Sequence, residues 1–204
     1  MLHDSTTGRR PAARYISLMT NAAMNARRSV LVLVDYQARL MPAIHRAAQT
    51  VAEATRLADA ARELGIRVIG TEQNPAGLGP NDEAIRQRCA STLAKMHFDA
   101  CEDGLLDLLG DEGAEVADVV IAGCEAHVCL LQTALGLLRA GRRVWVVAPA
   151  CGSRSAADHA LAMERLRQAG AVIVSTEMVV FEWLQACTHP RFKPVLGLVK
   201  TKIE

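Results

Sequence analysis

Apolar residues in this chain gather into short runs, and between the runs they recur at helical spacing. Residues 30–34 (VLVLV), 66–70 (IRVIG), 117–122 (ADVVIA), 143–148 (RVWVVA) and 171–175 (AVIVS) are dominated by Val, Ile and Ala. Such runs suit strands buried on both faces. Residues 91–98 (STLAKMHF) read as a brief strand or extended piece. Pro42 opens a long helix over 43–64, with Ile44, Ala47, Val51, Ala54, Leu57, Ala58 and Ala61 at apolar positions and Gly65 as its stop. Val128, Leu131, Leu135 and Leu138 lie three or four apart, and Gly141 ends that helix. Shorter helices are expected over 83–89 and 102–109. A longer one runs from the 149–155 loop to Gln168, another from Thr176 to about Ala186, and a last one begins at Phe192 or Pro194.

Strands and helices that alternate with short connections predict a parallel sheet with right-handed crossovers. The expected class is α/β, a three-layer α/β/α sandwich with a six-stranded parallel sheet in the doubly wound, Rossmann-like order 3-2-1-4-5-6. In that order the first and fourth strands are neighbours where the winding reverses, and ligands bind beyond their carboxyl ends. Asp35 ends the first strand, and Cys129 sits in the first turn of the helix after the fourth. The topology therefore predicts that a carboxylate and a thiol far apart in sequence share one crevice.

Composition narrows the partners. Half of the 204 residues are apolar but only 3% are aromatic, so the core must be aliphatic, and one domain is expected. The net charge of +1 gives no general pull towards nucleic acid or anionic lipid. No apolar run approaches the ~20 residues of a membrane span. The cysteines fall at 89, 101, 124, 129, 151 and 187 without a CxxC pair. They read as reduced thiols, and a cytoplasmic location is expected. Residues 1–28 hold five arginines and one acid, Asp4, a balance of +4 that leaves −3 for the rest. This segment reads as a loose tail followed by a helical face of Tyr15, Met19, Ala22 and Ala26. It suits a packing arm, an extension ahead of an initiator at Met24, or a transit peptide. The main domain is expected over 29–204.

Cys129 lies beside the unpaired N–H groups and positive dipole end of its helix. That setting favours thiolate, the reactive form; a small buried apolar residue is the bland alternative. Asp35 can accept the thiol proton and return it to a leaving amine, or it simply turns the chain at a strand end. Backbone N–H groups in the 123–129 turn can hold an oxyanion. Lys95, on sequence pattern alone, reads as a solvated lysine. His127 is two residues from Cys129, a spacing that points the two side chains apart on a helix. Cys124, His127 and Cys129 lack a fourth ligand for zinc. Gly77-Leu78-Gly79 follows the second strand, and Asp82 stands where a dinucleotide fingerprint needs its third glycine. No metal and no cofactor are expected.

Taken together, VLVLVDYQ (30–37), TEQNPAGLGP (71–80), AKMHF (94–98), IAGCEAHVCLLQTALGLL (121–138) and ACGSRS (150–155) resemble the isochorismatase-like cysteine hydrolases. The resemblance runs over about 29–200. The TEQ…GLGP loop and THPRFKPVLGLVK (188–200) resemble the subgroup of isochorismatase domain-containing proteins. The resemblance implies an Asp–Lys–Cys triad, which falls on Asp35, Lys95 and Cys129. The Lys95 ammonium would lower the cysteine pKa. It also implies a cis peptide between Cys124 and Glu125, aiming the Glu125 and Cys129 N–H groups at an oxyanion, and a homo-oligomer, dimer or larger. Two positions depart from related activities. Nicotinamidases carry an Asp-x-His metal site after the second strand, where this chain has Glu72-Gln73-Asn74. True isochorismatases lack the nucleophile cysteine that this chain has.

The resulting expectation is a metal-independent cysteine hydrolase that cleaves an amide or related C–N bond of a small molecule through a thioester. Gln37, Glu72, Gln73 and His127 are expected to line the substrate pocket. The alternative is a binding or scaffold protein that keeps the fold without catalysis. A flavodoxin-like nucleotide binder is a third option, and it lacks a phosphate loop after the first strand.

Overall fold

A computed structural model describes residues 23–110 and 118–201. The chain runs β1 (Ser29–Val34), α1 (Ala47–Glu63), β2 (Arg67–Gln73), α2 (Pro75–Leu78), α3 (Glu83–Arg86), β3 (Ser91–Lys95), α4 (Leu105–Leu109) and β4 (Asp118–Gly123). It continues through α5 (Cys129–Arg139), β5 (Arg143–Val147), α6 (Ala156–Gln168), β6 (Val172–Val174), α7 (Thr176–Leu184) and α8 (Phe192–Lys200). The strands form one six-stranded parallel sheet in the order 3-2-1-4-5-6, as expected. The winding reverses at β1, so right-handed crossovers put α1 on one face and α5 and α6 on the other. α7 and α8 pack against α1. Every residue of β1 is buried, as a central strand covered on both faces must be.

The register sets the site. Val34 pairs with Thr71 of β2 on one side and Gly123 of β4 on the other, so β1 and β4 end level while β2 runs two residues further, to Gln73. β2 runs past residue 70, where the sequence pattern ended it. Thr71, Glu72 and Gln73 are strand rather than loop because they pair with Leu93, Ala94 and Lys95 of β3. Gln73 and Lys95 are thus direct neighbours across the ladder.

Other boundaries also move for local reasons. α1 starts at Ala47 and not at 43, because Met41–Ala43 form a 3₁₀ turn and Arg46 takes a left-handed φ of 56°. β3 stops at Lys95, where the Asp103 carboxylate accepts the N–H groups of Met96 and His97 at 2.8 Å each. α4 starts at Leu105, after Gly104 at φ 99°. Met24 is buried in the main core, its N–H donating to Glu182 at 2.8 Å. The expected helical face of Tyr15, Met19 and Ala22 lies outside the described residues, as does Ala117. Among the described residues no helix is long and apolar enough to cross a membrane.

Candidate active site

Asp35 follows the last residue of β1 with φ 54° and is fully buried. Its N–H donates to the Thr71 carbonyl at 3.2 Å, and its Oδ1 accepts the Thr71 hydroxyl at 2.7 Å. Lys95 ends β3, and its Nζ lies 2.8 Å from Asp35 Oδ2, with both side chains fully buried. By distance the contact is an ion pair, although its angles fall outside hydrogen-bond geometry. Lys95 Nζ instead donates to Gln73 Oε1 at 2.6 Å and to the carbonyls of His97 and Phe98 at 3.3 and 3.5 Å. A buried ammonium needs this much: one anion and several oxygens replace its water.

Cys129 is the first residue of α5 and is 6% exposed. Its sulfur lies 3.9 Å from Gln73 Oε1. Burial pushes its thiol up, Asp35 pushes it further, and Lys95 pulls it down; the outcome is about 12. This reverses the expected direction. Desolvation together with a carboxylate at hand outweighs the ammonium and the helix end. At rest the sulfur carries its proton, with the Asp35 carboxylate as its anionic neighbour.

The turn between β4 and α5 is tightly fixed. A Cβ on Gly123, at φ 155°, would overlap the Val34 carbonyl oxygen. The Cys124 N–H donates to Val34 O at 2.8 Å, the Ala126 N–H to Gly152 O at 2.6 Å, and the Gly152 N–H to Gly123 O at 3.1 Å. The Cys124–Glu125 peptide is cis. The N–H groups of Glu125 and Cys129 donate to no acceptor among the described residues. The Glu125 carboxylate meets Arg154 Nε at 2.7 Å.

The residues expected to line a pocket divide. Gln37 is fully buried and committed: Nε2 donates to the carbonyls of Gln73 and Gly79, and Oε1 accepts the Gln73 N–H. Glu72 points to the opposite side of β2 from Thr71 and Gln73, and its Oε1 accepts the Asn81 N–H at 2.8 Å. Both clamp the 79–82 loop. Gln73 braces Lys95 and also holds Met96 O through Nε2 at 2.8 Å. His127 is half-buried, 2.9 Å from Ser153 Oγ. Pattern reading passed over Thr71, which orients Asp35. The signal was present: Thr71 stands two residues before Gln73, on the same strand face.

A doubly wound parallel sheet that gathers a thiol, a carboxylate and an ammonium at its switch point defines a three-layer α/β/α protein of the Rossmann-like class. The chain belongs to the isochorismatase family: the model of the Isochorismatase domain matches residues 29–178. Isochorismatase domain-containing protein 2A of Mus musculus is 33% identical over 175 residues, covering 86% of this chain and 84% of that protein. Among solved structures, MAR1 ribonuclease from Caenorhabditis elegans superposes with a TM-score of 0.84 and 34% identity, covering 90% of this chain and 95% of that one. The Escherichia coli YcaC protein, described as an octameric hydrolase of unknown specificity, shares the fold with a TM-score of 0.74. It is 22% identical and covers 86% of this chain and 95% of that one.

Proposed function

We propose that the chain is a metal-independent cysteine hydrolase that cleaves a small amide or related C–N bond, with Cys129 as nucleophile, Asp35 as general acid and base, and Lys95 as the fixed cation between them. The observation that carries this is the buried cluster itself: a thiol that feels both Asp35 and Lys95, with that carboxylate and ammonium paired 2.8 Å apart. With the thiol at about 12, deprotonation accompanies attack and does not precede it. Asp35 takes the proton as sulfur bonds to the substrate carbonyl carbon, and the carbonyl electron pair moves to oxygen. The free N–H groups of Glu125 and Cys129 receive that oxyanion; one such donor is worth roughly 3–4 kcal/mol. The C=O bond re-forms, the C–N bond breaks, and Asp35 passes its proton to the leaving amine. Water then attacks the thioester while giving a proton to Asp35. The C–S bond breaks, and the sulfur recovers its proton as the acid departs.

Copies of the chain are expected to associate, as the YcaC relative does. Met96 and Phe98, 66% and 50% exposed directly after Lys95, supply an apolar face for it. The function is tested with a panel of small amides, plus an RNA oligomer because the C. elegans relative is described as a ribonuclease. Intact-mass spectrometry then follows any acyl-enzyme. A mass adduct on Cys129 with an amide, and turnover abolished in a normally melting Cys129→Ala variant, are the expected results. Turnover by that variant removes Cys129 from the chemistry, and an inert wild type across the panel favours the scaffold alternative.

A further inference from the structure

A cavity of about 210 Å³ opens between the start of α1 and the start of α6. Asp35, Lys95 and Cys129 do not line it. His45, Arg46, Thr50, Ser153, Ser155 and His159 do, and no Asp or Glu among the described residues joins them. Two long helices present their amino ends here. α1 has no side-chain cap, and the N–H groups of Ala48 and Gln49 donate to no acceptor among the described residues. In α6, Ser155 Oγ accepts the Asp158 N–H at 3.1 Å, which leaves the N–H groups of Ala156 and Ala157 uncommitted. The nearby Asp158 carboxylate is engaged by the Ser155 hydroxyl at 2.7 Å. His159 Nε2 lies 3.1 Å from the Ala148 carbonyl; a carbonyl only accepts, so this nitrogen carries the hydrogen and the ring is held in place.

Thr50 points to a ligand independently of the helix ends. It is only 4% exposed and lines the cavity, yet its hydroxyl has no hydrogen-bond partner among the described residues. The hydroxyl is not among the fully buried unpartnered atoms, so it opens into the cavity, where a ligand can take up its hydrogen bond.

We propose that this cavity binds a tetrahedral dianion of the phosphate class, as free phosphate or as the phosphate group of a small monoester. Helix amino ends, the Arg46 guanidinium and the Thr50 hydroxyl all donate, and the lining offers no carboxylate to repel the anion. The volume is below the roughly 300 Å³ at which sites for drug-sized ligands begin, which suits a phosphate with a short attached fragment.

The test is calorimetric titration of the full chain at fixed ionic strength with inorganic phosphate and, separately, glycerol phosphate. Saturable one-site binding is expected for wild type and for Cys129→Ala, which separates this site from the candidate active site. Arg46→Asn removes the cation with a residue that tolerates left-handed backbone, and Thr50→Val keeps the side-chain shape. Each is expected to weaken binding by about tenfold or more, with melting curves confirming that the variants fold. Tighter binding of glycerol phosphate assigns the site to a monoester, and tighter inorganic phosphate assigns it to the free ion. No saturable binding by wild type, unchanged binding by both folded variants, or loss of binding on Cys129→Ala alone overturns the proposal.

Discussion

Cys129 sits between opposite charges, and its protonation state follows from which of them prevails. The carboxylate does, because burial already penalises a bare sulfur anion and Asp35 adds to the penalty. Asp35 and Cys129 were legible from the sequence, since the strand order alone brings them together. Lys95 became legible only through family resemblance, and the direction of the thiol shift was hidden because depth of burial is a property of the packed molecule. The Asp35–Lys95 pair has no exposure on either side chain, so removing one member strands a buried charge. Lys95→Met is expected to destabilise the fold by about 3–5 kcal/mol. Asp35→Asn combined with Lys95→Met should recover much of that loss in chemical denaturation. Equal instability of the double and single variants would show that the ion pair is not the source.

At the scale of elements, the site depends on β1 and β4 ending level and on β2 and β3 ending level two residues further on. Thr71 and Gln73 share one face of β2, so one strand orients Asp35 through the first and Lys95 through the second. Sequence pattern ended β2 too early because its last residues are polar. Their pairing with β3, not their own composition, makes them strand. Gly123 is the tightest point, where β4 turns against the end of β1. Gly123→Ala would force a methyl group into the Val34 carbonyl. The expected outcome is a lowered melting temperature together with loss of any Cys129-dependent turnover. A stable, active Gly123→Ala protein would mean that the β1–β4 junction has room the structure does not show.

Over the whole molecule, strand order and layering were readable because aliphatic runs alternate with helical repeats and right-handed crossovers leave few arrangements. At the amino-terminal side, Met24, which falls in the segment read as a packing arm or an extension, is buried in the main core. In the proposed mechanism burial first, and the Asp35 carboxylate second, keep the Cys129 thiol protonated, and that carboxylate then takes its proton. The most direct test needs no substrate: the rate of Cys129 alkylation by iodoacetamide against pH, read by peptide mass spectrometry, in wild type and Asp35→Asn. Wild type should react slowly near neutrality and accelerate only as pH climbs towards about 12. Asp35→Asn should shift that rise to lower pH. A wild-type Cys129 already fully reactive at neutral pH, or an Asp35→Asn profile identical to wild type, would contradict the account.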